Sequence, residues 1–124
     1  MAPDELEVAH RYAHLNGIRM HYVERGAGPL VVLLHGFPEM WWSWRYQIPA
    51  LVEAGFRVVA PDLRGYNDTE AKAPYDIDTL CNDVIGLFDH LETDQPIVVA
   101  HDWGGLVAWH LASTSFRSVI SPRH

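Results

Sequence analysis

Residues Pro96–Gly105 constrain the fold of this chain more than any other stretch. Ile97, Val98 and Val99 form a β-branched apolar run of the kind found in parallel strands covered on both faces. The run halts at Asp102, and Leu106 to Ala112 then have helical composition. Ala100, Gly104 and Gly105 supply the small side chains that a sharp strand-to-helix turn needs. Asp102 thus occupies the middle of a small-x-nucleophile-x-small arrangement. Such a turn lifts one side chain above the sheet, at the positive end of a helix dipole. An Asp there is a carboxylate at neutral pH and needs no base to act as a nucleophile. Asp is also a favoured N-cap residue, so the plain alternative is that Asp102 only caps the helix.

Upstream, residues from about Val8 to Leu15 read as a strand. Asn16-Gly17 follows, a strong hairpin signal because both residues tolerate positive φ. The next strand alternates, with Ile18, Met20 and Tyr22 on one face and Arg19 and His21 on the other. Leu30–Leu34 is a continuous apolar run that ends in His35-Gly36-Phe37-Pro38-Glu39. A helix is predicted from about Ser43 to Ala54, carrying Trp44, Ile48, Leu51 and Val52 inward, with a kink or late start at Pro49. Phe56–Ala60 is the next buried strand, and Pro61–Asn67 a loop. From about Asp78 to Leu91 a helix is predicted, because Ile77, Leu80, Cys81, Val84, Leu87, Phe88 and Leu91 repeat at helical spacing. Cys81 lies on that stripe, which assigns it to packing rather than chemistry.

A hairpin followed by β-α-β-α-β-α is an α/β pattern, with a mostly parallel sheet and flanking helices. In such sheets ligands bind outside the carboxyl ends of the strands. Both unusual loops, His35–Pro38 and His101–Gly105, fall there, which favours the nucleophile reading of Asp102 over the cap.

Composition narrows the partners. The net charge is −7 without a basic cluster, so neither nucleic acid nor an anionic membrane is expected. Met1–Glu7 is acidic and lacks the apolar core of a signal peptide, and the apolar runs are too short to span a bilayer. The single cysteine rules out an internal disulfide framework and fits a cytoplasmic location, which is the expectation.

With these residues in place, the chain is similar to the α/β-hydrolase family and within it resembles the soluble epoxide hydrolases. The likeness is carried by His35-Gly36-Phe37-Pro38-Glu39, Trp41-Trp42-Ser43-Trp44-Arg45, Ala60-Pro61-Asp62-Leu63-Arg64-Gly65-Tyr66 and His101-Asp102-Trp103-Gly104-Gly105. It implies a partial α/β-hydrolase fold lacking the cap and C-terminal half. Residues 1–112 would be the amino-terminal part of the core domain, and 113–124 a divergent Ser-rich tail. It further implies Asp102 as nucleophile, the Phe37 and Trp103 N–H groups as oxyanion hole, and His35, Gly36, Pro38, His101 and Gly104 lining the site. The substrate would be a small epoxide, opened to a covalent ester and hydrolysed to a diol without cofactor or metal.

In the family, the general-base histidine, its acidic partner and the cap tyrosines belong to parts of the pattern not matched here. The chain alone is therefore expected to be inactive. His10, His14, His21, His90 and His110 read as surface or packing residues, and His124 has no orienting partner. Asn67 stands where the family usually has Gly, and Asn tolerates left-handed backbone. The strand before Asp102 is expected to form a sheet edge, open to self-association.

Rival readings are a haloalkane dehalogenase, which usually carries Asn where this chain has Phe37, and a fluoroacetate dehalogenase, which usually has Arg in place of Trp103. A nucleotide-binding module needs a G-x-G-x-x-G turn, which neither loop contains. A truncated, non-catalytic product is the remaining alternative.

Overall fold

Asn16 and Gly17 adopt φ values of 46° and 77°, the left-handed pair that a tight hairpin turn requires. In this computed structural model, which describes residues 6–93, 96–114 and 118–120, they join β1 (Ala9–Leu15) to β2 (Ile18–Arg25). The two strands pair antiparallel from Ala9 against Glu24 to Leu15 against Ile18. Four further strands, β3 (Leu30–Leu34), β4 (Arg57–Pro61), β5 (Ile97–Ala100) and β6 (Ser118–Ile120), complete one sheet in the order β1-β2-β4-β3-β5-β6. The β3–β4, β3–β5 and β5–β6 pairs are parallel, and β2 meets β4 antiparallel.

Among the described residues three α-helices cover the sheet: α1 (Gln47–Glu53), α2 (Ile77–His90) and α3 (Trp103–Thr114). α2 forms as its periodicity demands. Leu80, Cys81, Val84, Leu87 and Phe88 are buried with Val107, Ala108 and Leu111 of α3 against one face of the sheet. Full burial of each large side chain contributes about 1.5–3 kcal/mol. Asp76 caps the helix, its carboxylate accepting the Thr79 N–H at 3.2 Å. Burial pushes the Cys81 thiol up to about 11, and its Sγ donates to Val107 O, so it packs as expected. α1, with a 3₁₀ turn at Trp41–Trp44, covers the opposite face through Trp41, Trp44 and Ile48.

The late start expected near Pro49 is seen, with the stretch predicted helical over 43–54 divided into the 3₁₀ turn and α1, which begins at Gln47. Pro49 is the third residue of α1, in the first turn, where a helix has no intrahelical use for the N–H that proline lacks. The strand before Asp102 is not an edge: β6 lies beside it, with Val98 opposite Val119 and Val99 opposite Ile120. The self-association expected through an open β5 edge loses its basis, because part of the Ser-rich tail supplies the missing ladder.

The chain passes from β3 to β4 on one side and then crosses by α2 to β5 on the other. The strand order therefore reverses at β3, between whose carboxyl end and that of β5 an α/β sheet leaves its ligand crevice. Both peculiar loops of the sequence emerge at that point.

Candidate active site

The junction of β5 and α3 is tight. Asp102 has a φ of 55°, left-handed backbone that a non-glycine residue adopts only where its surroundings impose it. The His101 N–H is held by Leu34 O at 3.1 Å, which locks the end of β5 to that of β3. α3 starts at Trp103 and lies hard against β3: a Cβ on Gly104 would stand 2.5 Å from Leu34 O and 2.7 Å from His35 O. The Asp102 carboxylate is exposed, and its Oδ2 accepts the Phe37 N–H at 3.0 Å.

Phe37 is presented by a turn that closes on itself. The Glu39 N–H donates to Gly36 O at 2.9 Å, and Glu39 Oε1 accepts the Gly36 N–H at 3.1 Å. The Phe37–Pro38 peptide bond within it is cis. Gly36 has to be glycine, because a Cβ there would meet the Asp102 Cβ at 2.7 Å. Phe37 itself is 60% exposed and touches Tyr66 edge-on at 6.3 Å. Burial, with a smaller contribution from the Asp102 charge, raises the Tyr66 phenol above its ordinary value.

The two neighbouring histidines differ. His35 is buried, with Nδ1 donating to Gly36 O and Nε2 accepting the Leu63 N–H, both at 2.9 Å. Both ring nitrogens are thus committed, and burial holds its pKa below the ordinary value. His101 is half-buried, its Nδ1 3.4 Å from Glu39 Oε1.

Asp62, Trp41, Glu39 and Tyr66, named in the sequence only as carriers of the family likeness, and His21, read there as a surface or packing residue, brace this region. Asp62 is buried and accepts from three directions: Trp41 N–H on Oδ1 at 2.9 Å, His21 Nδ1 on Oδ2 at 2.6 Å and Asn67 Nδ2 on Oδ2 at 2.9 Å. Asn67 has a φ of 45°, so it takes the left-handed backbone expected of it and also donates to this carboxylate. A signal was available, since Asp62, like Asp102, follows a buried strand at the ligand end of the sheet. A cavity of about 360 Å³ opens beside Gly36 between Leu63, Tyr66, Tyr75 and Leu80. Among the described residues no cluster of His, Cys, Asp or Glu could hold a metal ion, and no helix is long and apolar enough to cross a membrane.

Two of these groups make stability depend on pH in the same direction. Burial alone would raise the Asp62 carboxyl, but the hydrogen bonds from His21, Trp41 and Asn67 outweigh it and leave it lowered. Its contribution is present above the ordinary carboxylate value of about 3.9 and is lost as the pH falls through the lower folded value. For His35, also lowered, the unfolded chain takes up the proton first, so stability falls from about pH 6.5 downward until the folded ring protonates too. Urea midpoints are expected to fall in two stages on acidification, and His35→Gln to lessen the earlier one. A midpoint that rises as the pH drops through that range would contradict the assignment.

The site so built sits on a known frame. Residues 29–121 match the alpha/beta hydrolase fold family. The chain is 53% identical over 109 residues to an AB hydrolase superfamily protein, YfhM, of Bacillus subtilis, and 45% identical over 113 residues to bifunctional epoxide hydrolase 2 of Sus scrofa. These alignments cover 84% and 88% of this chain, but 38% and 20% of those proteins. The crystal structure of epoxide hydrolase VrEH1 from Vigna radiata superposes with a TM-score of 0.88 at 48% identity, over 93% of this chain and 38% of that one. The chain belongs to the α/β-hydrolase family and is similar, within it, to epoxide hydrolases, spanning less than two fifths of the length of these relatives.

Proposed function

We propose that this chain carries the nucleophilic half of an epoxide hydrolase site, with Asp102 as the nucleophile. The observation that supports this most is the 3.0 Å hydrogen bond that the Phe37 N–H donates to Oδ2 of Asp102, itself on left-handed backbone at the switch point of the sheet. The oxygen not held by Phe37 attacks an epoxide carbon. The carbon–oxygen bond of the ring breaks, and the departing alkoxide takes a proton from water. Oδ2 is then the carbonyl oxygen of the ester. If water adds to that ester, Oδ2 becomes the oxyanion, and Phe37 already stands within the 2.7–3.1 Å range such a donor needs. Trp103, the first residue of α3, has an N–H without an intrahelical acceptor and is the second donor of this reading. Each donor is typically worth about a hundredfold or more in rate.

His35, Gly36, Pro38, His101 and Gly104 shape the site rather than react. Hydrolysis of the ester needs a base to activate water. The His35 nitrogens are both engaged and the His101 Nδ1 faces Glu39, so neither is placed for that work. The expected behaviour is one slow alkylation of Asp102 per chain and no turnover. Diol release from a reactive aryl epoxide, followed over many equivalents, checks this. Release should stay at the level of Asp102→Asn; sustained release above it would mean that a base is present after all.

A further inference from the structure

The turn that presents Phe37 is attached at both ends to two consecutive residues. At its start, the His35 ring accepts the Leu63 N–H through Nε2 at 2.9 Å. At its far end, the Trp41 N–H reaches Asp62 Oδ1 at 2.9 Å. Between these points the turn is a closed unit, with the Gly36 carbonyl and amide both taken by Glu39. The Phe37 side chain restrains it little, being exposed with one edge contact to Tyr66. Besides the Glu39–His101 contact and the packing of Gly36 on Asp102, the turn is held over Asp102 by these two attachments, and both lead to the Asp62–Leu63 step.

Asp62 is itself fixed from β2. His21, fully buried, donates Nδ1 to Asp62 Oδ2, and the Thr69 hydroxyl accepts the His21 N–H at 2.9 Å while donating to Asp62 O at 2.6 Å. A carboxylate accepts at about four lone-pair sites, and three here are taken by donors from three segments of the chain. Such a group holds position because any shift loses a charge-assisted bond in a dry interior.

We infer that Asp62, held by His21, is a positioning residue that sets the Phe37 N–H over Asp102. The inference rests on the reading of Phe37 as an oxyanion donor, and not on what Asp102 reacts with. It assigns the buried His–Asp pair a part in the site although neither residue touches the reacting atoms.

Amide NMR on the whole chain tests it. In the native protein the Phe37 amide proton shift is expected to follow the titration of Asp102, a response that Asp102→Asn abolishes. Asp62→Leu cannot accept from Trp41. Exchange of the Trp41 amide, taken relative to Val32 and Val59 in the same sample, should rise by about tenfold, the equivalent of one lost hydrogen bond. The Phe37 response should fall by about half or more, as its donor moves off Asp102. Asp62→Asn keeps a carbonyl acceptor for Trp41 but sets an NH2 against the His21 and Asn67 donors, and should recover both signals in part. If Asp62→Leu does not fold, His21→Phe serves in its place, with a smaller rise of about threefold at Trp41. An unchanged Phe37 response in Asp62→Leu or His21→Phe, or a loss in Asp62→Asn as large as in Asp62→Leu, overturns the inference. Failure of Asp102 to react with an epoxide while these signals behave as stated overturns the proposed chemistry and leaves the positioning role standing.

Discussion

Asp83→Leu is expected to destabilise this chain by about 3–5 kcal/mol. Asp83 lies on α2, is fully buried, and takes Arg64 in a two-pronged grip, Nε at 2.8 Å on Oδ2 and Nη2 at 2.7 Å on Oδ1. The remaining Arg64 donors go to Lys72 O at 2.8 Å and Asn16 O at 3.4 Å, and Asn16 Nδ2 returns to Asp83 Oδ1 at 2.8 Å. The hydrogen bonds that Arg64 donates to Asp83 hold its pKa above the ordinary value, so the guanidinium cannot escape its burial by losing a proton. Leaving one partner of such a pair alone costs about 3–5 kcal/mol, set against a total stability of about 5–15 kcal/mol for a domain. The double replacement Arg64→Met with Asp83→Leu should cost less than Asp83→Leu by itself, because it removes the stranded charge. Urea unfolding of the native chain and of these two variants decides it. A double variant less stable than Asp83→Leu would show that the pair, rather than its breaking, carries the energy.

The second large effect is at Gly104, where two principles give opposite signs. Alanine in a helix is favoured over glycine by about 0.5–1 kcal/mol. The added Cβ, however, would stand 2.5 Å from Leu34 O and 2.7 Å from His35 O, backbone atoms of the sheet that cannot swing aside. α3 must lift off β3, and overpacking of this kind costs about 1–3 kcal/mol. Gly104→Ala is expected to be destabilised by about 1–2 kcal/mol net and to lengthen the Phe37–Asp102 hydrogen bond, since the helix carries its own first turn with it. Chemical denaturation gives the sign. A more stable Gly104→Ala would mean that the approach of α3 to β3 is looser than the structure has it.

Much of the frame could be read before any coordinates, because it rests on local patterns. Asn16-Gly17 announced the hairpin by its tolerance of positive φ, and the stripe from Ile77 to Leu91 announced α2 by its period. The run into Asp102 ended where small residues permit a sharp turn, and the observed φ of 55° falls on that residue. The pairs that brace the site were not legible for the opposite reason. His21 lies within β2 and Asp62 just past β4, as Arg64 and Asp83 lie on a loop and a helix, and neither pairing leaves a period or a spacing in the sequence. His21 even alternated with the apolar face of β2 as an outward residue should, yet it is buried, because β2 has neighbours on both sides and Thr69 and Asp62 cover it. The strand β6 was hidden by composition: a Ser-rich tail has no alternation to read, and its three residues form a ladder only because β5 offers them a partner.

Everything said about function turns on Asp102 being the atom that reacts. Incubation of the whole chain with a reactive aryl epoxide, followed by intact mass and then peptide mapping, measures that directly. The account requires one added equivalent, lost on mild alkaline treatment as an ester would be, located on the peptide that carries Asp102 and absent from Asp102→Asn. An adduct on another residue, or an equal adduct on Asp102→Asn, would contradict it.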